Sequence, residues 1–170
     1  MIELQPSAVA SKRRRGTWLA IACSLTALLA PAAPAHADDA SVARAYRMQD
    51  AASLILQRQA GPAFATFERT GRTGPILGLL SRTRAVVVRT NVAVLGQQAS
   101  TPTGVSARGY CLRSLGLLNR AILSLQGGLR ASDRGQRVLA GRLITRGETQ
   151  LKYADRADRQ ARMLFAQAGV

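Results

Sequence analysis

The sequence predicts an all-α protein, a single four-helix-bundle-like domain that follows an N-terminal segment removed during export. Apolar residues recur at helical spacing from about residue 39 to the C-terminus. Glycine and proline interrupt this pattern at intervals typical of connections between helices. Residues 38–170 are long enough to bury one core, because domains commonly hold about 100–150 residues.

The first 37 residues have the order of a secretory signal peptide. A basic cluster, Lys12–Arg15, precedes an apolar run, Trp18–Ala30, and Ala35-His36-Ala37 forms an A-x-A cleavage site. We therefore expect Sec-type export and cleavage after Ala37, which places the mature domain, residues 38–170, in the periplasm or outside the cell. A retained membrane anchor is the alternative, but prolines and small residues fill the second half of the uncharged stretch.

The mature domain is strongly basic. Residues 38–170 keep 20 of the 24 basic residues and 8 of the 9 acidic residues, which gives a net charge of +12, and Lys152 is their only lysine. Such a charge attracts anionic surfaces, such as phospholipid headgroups or other envelope polyanions. The alternative is that the arginines reflect a GC-rich genome and serve only to solvate helix faces.

The first mature helix is predicted from Asp39 or Ser41 to Ala60, and Gly61-Pro62 is expected to end it. The residues expected to face inward are Ala45, Met48, Ala52 and Ile55. A short helical turn is predicted over residues 62–70, and the glycine-rich stretch 71–74 is interpreted as a linker.

The second long helix is predicted to begin at Gly74-Pro75. Its helically spaced stripe consists of Leu77, Ser81, Ala85, Val88, Val92, Leu95 and Ala99. A pair of strands is the competing interpretation for Val86–Leu95, because β-branched residues are frequent there. The length of the segment and its unbroken stripe favour a helix.

Two more helices complete the predicted bundle. The third begins at Thr101–Gly104 and ends at Gly127-Gly128, and its apolar stripe is Cys111, Leu115, Leu118, Ile122, Leu125 and Leu129. The last segment runs from Ser132 to Ala168, with kinks expected at Gly141 and Gly147. Its predicted inner side consists of Leu139, Leu143, Ala154, Ala157, Ala161, Phe165 and Ala168, and its opposite side carries Arg134, Arg142, Lys152, Arg156 and Arg159.

The mature domain offers few catalytic groups. Cleavage after Ala37 removes the only histidine, which excludes Ser-His-Asp and Cys-His catalysis and histidine-ligated metal or haem sites. Most acidic residues are expected in helix-stabilising pairs, namely Asp133–Arg137, Glu148–Lys152, Asp155–Arg159 and Asp158–Arg162, or at a helix N-terminus as Asp38 and Asp39. Only Asp50 and Glu68 lack such an explanation. We therefore predict no catalytic residue, no metal site and no cofactor.

Cys111, the only cysteine of residues 38–170, and the aromatic residues also indicate which partners to expect. Cys111 lies on an apolar stripe and is expected to be a buried, inert thiol, with a disulfide-linked dimer through Cys111 as the alternative. The few aromatic residues are scattered rather than interleaved with basic ones, so specific nucleic-acid binding is not expected. No mature segment has the length and apolar character of a transmembrane helix.

These observations predict an exported, non-catalytic binding or structural module that contacts an anionic envelope surface or an acidic partner protein. The residues expected to make this contact are Arg134, Arg142, Arg146, Arg156 and Arg159. The alternative is a small histidine-free all-α enzyme that uses arginine clamps and one carboxylate. Arg84 and Arg113 interrupt apolar stretches, and in such an enzyme they would point into a cavity between the helices.

Overall fold

The computed structural model describes residues 38–170, which form one short and four long α-helices. The predicted signal peptide and its cleavage site after Ala37 lie outside the described residues. The helices are α1 (Asp39–Arg47), α2 (Asp50–Thr70), α3 (Gly74–Leu95), α4 (Pro102–Asp133) and α5 (Arg137–Gln167).

The two longest helices, α4 and α5, form an antiparallel hairpin around a tight turn at Gly135, whose φ is 72°. Helix α3 packs against both α4 and α2, and α1 packs against α3 and α4. The predicted all-α, bundle-like fold is therefore confirmed, and residues 38–170 contain no β-strand. In particular, Val86–Leu95 belongs to α3, which resolves the choice between helix and strand in favour of helix.

Small residues allow α4 and α5 to approach each other closely. A Cβ atom on Gly128 would lie 2.8 Å from Ile144 Cγ1, and a Cβ atom on Gly147 would lie 2.9 Å from Leu125 Cγ. Buried alanines on both helices extend this contact; they are Ala121, Ala131, Ala140, Ala154, Ala157 and Ala161. The buried face of α5 therefore consists mainly of small side chains, so its large and charged side chains lie on its other faces.

The predicted first helix is wrong in its boundaries, because the chain turns at Met48-Gln49 and α2 then continues through Gly61-Pro62. Gln49 is buried and its side chain is directed toward α5, while Met48, predicted to face inward, is exposed. Pro62 removes the helical hydrogen bond to the carbonyl of Arg58, but both residues are exposed, so water can solvate that carbonyl. A proline on a solvent-facing side therefore does not end this helix.

The predicted inward stripe of α3 is also wrong, because that stripe is largely exposed. The buried positions of α3 lie on a different face; they are Ile76, Leu79, Leu80, Thr83, Val86, Val87, Thr90 and Val94. Thr83 and Thr90 belong to this buried face, and the apolar periodicity of the sequence did not include them because they are polar. The hydroxyl of Thr83 donates to the carbonyl of Leu79 at 3.0 Å, which satisfies it within the helix.

Helix α4 does not end at Gly127-Gly128, as predicted, but continues to Asp133. Gly128 does not end the helix; because it has no side chain, it leaves space for α5. Consequently Ser132 and Asp133 belong to α4, and α5 begins at Arg137 and runs without interruption past Gly141 and Gly147. The predicted stripe of α4 is confirmed at Cys111, Leu115 and Ile122, which are buried.

The inner side of α5 is confirmed toward its C-terminal end, where Ala154, Ala157, Ala161 and Phe165 are buried. Leu139, also predicted to face inward, is exposed, and the buried position in that first turn is Ala140. Ala140 and Gly147 are the residues that fit against α4, so size rather than hydrophobicity selects the buried positions here.

The start of α1 is fixed by two aspartates. The Asp38 carboxylate accepts hydrogen bonds from the backbone N–H groups of Ala40 and Ser41, which caps the helix. The Asp39 carboxylate is buried and accepts hydrogen bonds from Ser100 and Thr101, including one from the Thr101 hydroxyl. It lies so close to Gly104 that a Cβ atom there would overlap it. This junction attaches α1 to the N-terminus of α4.

We expect Gly147→Ala to lower the free energy of unfolding by about 1–3 kcal/mol, because the added methyl group overpacks the α4–α5 contact. Gly141→Ala is the matched control, since nothing lies within 4 Å of its Cβ position. The control should raise the free energy of unfolding by up to about 1 kcal/mol through helix propensity. Urea unfolding followed by circular dichroism measures both. Equal effects of the two substitutions would contradict the close contact.

The hydrogen bond from the Thr101 hydroxyl is the main cause that lowers the pKa of Asp39 below its ordinary value of 3.8. A carboxyl group with a lowered pKa stabilises the folded state above its unfolded pKa, and this stabilisation is lost as pH falls through the folded pKa. Asp39→Asn should therefore flatten the acid-side decline in stability below about pH 4. Urea unfolding at a series of pH values tests this, and parallel profiles for wild type and Asp39→Asn would refute it.

Candidate anion-binding face

The outward side of α5 carries a row of exposed polar side chains with helical spacing. Arg142, Arg146, Thr149, Tyr153 and Arg156 follow one another at intervals of four, three, four and three residues, which places them on one side of the helix. This side is opposite the small-residue face that packs against α4. We call this row the arginine face; from Arg142 to Arg156 it is about 21 Å long, at 1.5 Å per residue.

The centre of the arginine face is an open depression of about 520 Å³. Its lining residues are Arg142, Thr145, Arg146, Thr149, Gln150 and Tyr153. The guanidinium group of Arg156 lies over the Tyr153 ring, 5.8 Å from the ring centroid. This cation–π contact holds the arginine against the helix surface while leaving its outer N–H groups exposed. The depression thus offers guanidinium, hydroxyl and amide groups on one side of a single helix.

Three of the five predicted contact arginines lie together, and two do not. Arg142, Arg146 and Arg156 share the arginine face, and none of the three forms an ion pair within residues 38–170. Arg159 is exposed, but its guanidinium binds the Asp155 carboxylate at 2.8 Å. Arg134 is exposed in the turn between α4 and α5, outside the row. The sequence prediction did not include Tyr153, although its spacing of three residues from Arg156 indicates that the two side chains are neighbours.

The predicted acid–base pairs are present in part. Asp155–Arg159 and Asp158–Arg162 form ion pairs. Asp133 instead accepts a hydrogen bond from the Thr73 hydroxyl at 2.6 Å, which fastens the end of α4 to the loop before α3. Asp50, which the sequence left unexplained, is paired with Arg162 at 3.1 Å.

A polar cluster around Asp158 joins the first two helices to α5. One carboxylate oxygen of Asp158 accepts hydrogen bonds from the Tyr46 hydroxyl and the Gln49 side-chain amide, both at 2.7 Å. Arg162 donates to both carboxylate oxygens and also reaches Asp50. Burial, with a further contribution from Asp158, raises the pKa of Tyr46 far above its ordinary range. Because the Asp158 carboxylate is surrounded by protein donors, the cluster has the arrangement of a structural junction.

The single cysteine of the described residues lies in the core beside this cluster. Cys111 is fully buried, and burial is the main cause that raises the pKa of its thiol to about 12. The thiol is therefore protonated at neutral pH and out of reach of solvent. A disulfide between two copies through Cys111 would require the core to open first.

The arginines considered for an internal cavity do not share one. Arg84 is half-buried and its Nε donates to Asn119 Oδ1 at 2.9 Å across the α3–α4 contact. Arg113 is exposed on α4. Neither side chain forms the inward-pointing clamp that the enzyme hypothesis requires.

Residues 38–170 contain no group of three or more histidine, cysteine, aspartate or glutamate side chains arranged to hold a metal ion. Within the same residues, no helix combines the length and the apolar character needed to cross a membrane. Comparison with known proteins found no family model, no curated protein and no solved structure that matches the chain.

Proposed function

We propose that residues 38–170, after export and removal of residues 1–37, act as a non-catalytic binding module that contacts an anionic envelope surface through the arginine face. Export and cleavage after Ala37 rest on the order of basic, apolar and small residues in the first 37 positions. The contact rests on the outward side of α5.

The observation that carries this proposal is the set of arginines without acidic partners on that side. Arg142, Arg146 and Arg156 are exposed and form no ion pair within residues 38–170, whereas Asp155 and Asp158 of α5 pair with Arg159 and Arg162. The planar guanidinium group suits phosphate and carboxylate oxygens, because it donates two parallel hydrogen bonds. An anionic surface would supply the acceptors that the domain itself does not supply here.

The shape of the arginine face favours an extended anionic surface over one small anion. The arginines are distributed over about 21 Å of a single helix, and the depression between them is open rather than enclosed. A small anion is usually held by donors that converge from several sides, whereas a charged surface can meet a row of side chains on one helix. Anionic phospholipid headgroups have this geometry.

A charge-reversal experiment tests the proposal. The double substitution Arg142→Glu and Arg146→Glu should weaken binding of the mature chain to phosphatidylglycerol vesicles by about 30-fold or more, because each basic residue near an anionic surface contributes about 1 kcal/mol. The matched control, Arg58→Glu with Arg72→Glu, reverses two exposed arginines on α2 and the loop after it. It should weaken binding by less than about fivefold, since exposed charges act over about a Debye length.

Vesicle sedimentation at low and high salt measures these affinities, and circular dichroism verifies that both variants keep their helicity. Wild-type binding should fall as salt rises. The proposal is wrong if the mature chain does not bind anionic vesicles, or if the two double variants weaken vesicle binding by the same factor.

A further inference from the structure

A second surface, along the contact between α3 and α4, exposes apolar side chains to solvent. Val88, Val92 and Leu95 succeed one another at intervals of four and three residues, and their exposed fractions are 39 %, 64 % and 53 %. They belong to the stripe whose periodicity predicted burial. The fold buries the face of α3 that contains Thr83 and Thr90 instead and leaves this one uncovered.

Helix α4 extends the apolar surface. Three hydrogen bonds mark the line along which α3 and α4 meet: Gln126 to Ser81, Arg84 to Asn119, and Arg108 to the Leu95 carbonyl. Next to this line on α4 lie the exposed Val105 and Leu123 and the half-buried Leu112. We call this surface the α3–α4 face; it consists of Val88, Val92, Leu95, Val105, Leu112 and Leu123.

The charged side chains that α3 and α4 place beside the α3–α4 face are arginines. Between Glu68 and Asp133 the chain contains nine arginines and no acidic residue. Arg89 follows Val88 directly on α3, Arg120 lies three residues before Leu123 on α4, and both arginines are exposed. Within residues 38–170, no ion pair involves α3 or α4.

We infer that the α3–α4 face is a docking site for an amphipathic helix of an acidic partner protein, with aliphatic residues at its centre and aspartate or glutamate at its edges. Charge complementarity favours an acidic partner over a second copy of this chain, because two copies would bring the arginines beside their α3–α4 faces together. The aliphatic centre fits a helix that presents apolar residues at positions i, i+3, i+4 and i+7. Of the tryptophan, phenylalanine and leucine that are typical of surfaces inserting into lipid, the α3–α4 face has only leucine.

The probe for this docking site is a pair of fluorescent synthetic helical peptides with the same leucine stripe, flanked by glutamates in one and by lysines in the other. Fluorescence anisotropy with the mature chain measures binding. We expect the glutamate peptide to bind at least about tenfold more tightly than the lysine peptide. Val88→Ser with Val92→Ser should weaken that binding by about tenfold, because the apolar centre is lost.

Two controls separate this site from other surfaces. Leu54→Ser with Leu56→Ser removes two exposed leucines from α2 and should change binding by less than about twofold. The Arg142→Glu and Arg146→Glu variant should bind the glutamate peptide with an affinity within about threefold of the wild-type value, because its substitutions lie on α5. This last result also distinguishes failure of the docking site from failure of the arginine face.

Three outcomes would overturn the inference. The first is equal affinity for the two peptides, and the second is unchanged binding by the Val88→Ser and Val92→Ser variant. The third is self-association, in which sedimentation equilibrium finds a dimer that these two substitutions abolish. Circular dichroism and urea unfolding establish that the serine variants are folded.

Discussion

The close contact between α4 and α5 is the constraint on which the rest of the structure depends. Gly128 and Gly147 leave no space for a methyl group between the helices, and buried alanines extend the contact along α5. This fixes the rotation of α5 about its own axis. Since the small residues have to face α4, Arg142, Arg146 and Arg156 have to face away from it. The geometry of the arginine face therefore follows from the packing of glycine and alanine, not from contacts among the arginines.

Two polar junctions attach the shorter elements to this hairpin. Asp39 binds Ser100 and Thr101 and so fastens the start of α1 to the start of α4, while Asp158 binds Tyr46 and Gln49 at the end of α1. Carboxylates withdrawn from water need hydrogen-bond partners, and for the buried Asp39 and the half-buried Asp158 neutral donors from separate parts of the chain provide most of them. The acidic residues are thus largely committed to structure. The arginines of the arginine face and those beside the α3–α4 face form no ion pair within residues 38–170.

The helical segments were predicted more accurately from the sequence than the faces by which the helices contact one another. Apolar periodicity identified the all-α class and the stripe from Cys111 to Ile122, because large buried residues recur there at regular intervals. It failed where small or polar residues are buried. Gly128 was interpreted as a helix end, and Thr83 was not included in the predicted inward stripe, because neither residue type reveals in the sequence that a neighbouring helix covers it. Of the arginines, periodicity placed Arg142 and Arg156 correctly, but it could not reveal that Asp155 neutralises Arg159.

The most direct test of the arginine face is residue-by-residue protection of α5 on anionic vesicles. Single cysteines at Thr145, Thr149, Glu148 and Ser53 can carry spin labels, since buried Cys111 is shielded from the reagent. Electron paramagnetic resonance then measures the accessibility of each label to a water-soluble relaxation agent. Labels at 145 and 149 should become protected when vesicles bind, whereas those at 148 and 53 should stay accessible. Protection that is equal at all four positions, or absent at 145 and 149 in the bound protein, would contradict the assignment of the arginine face as the binding surface.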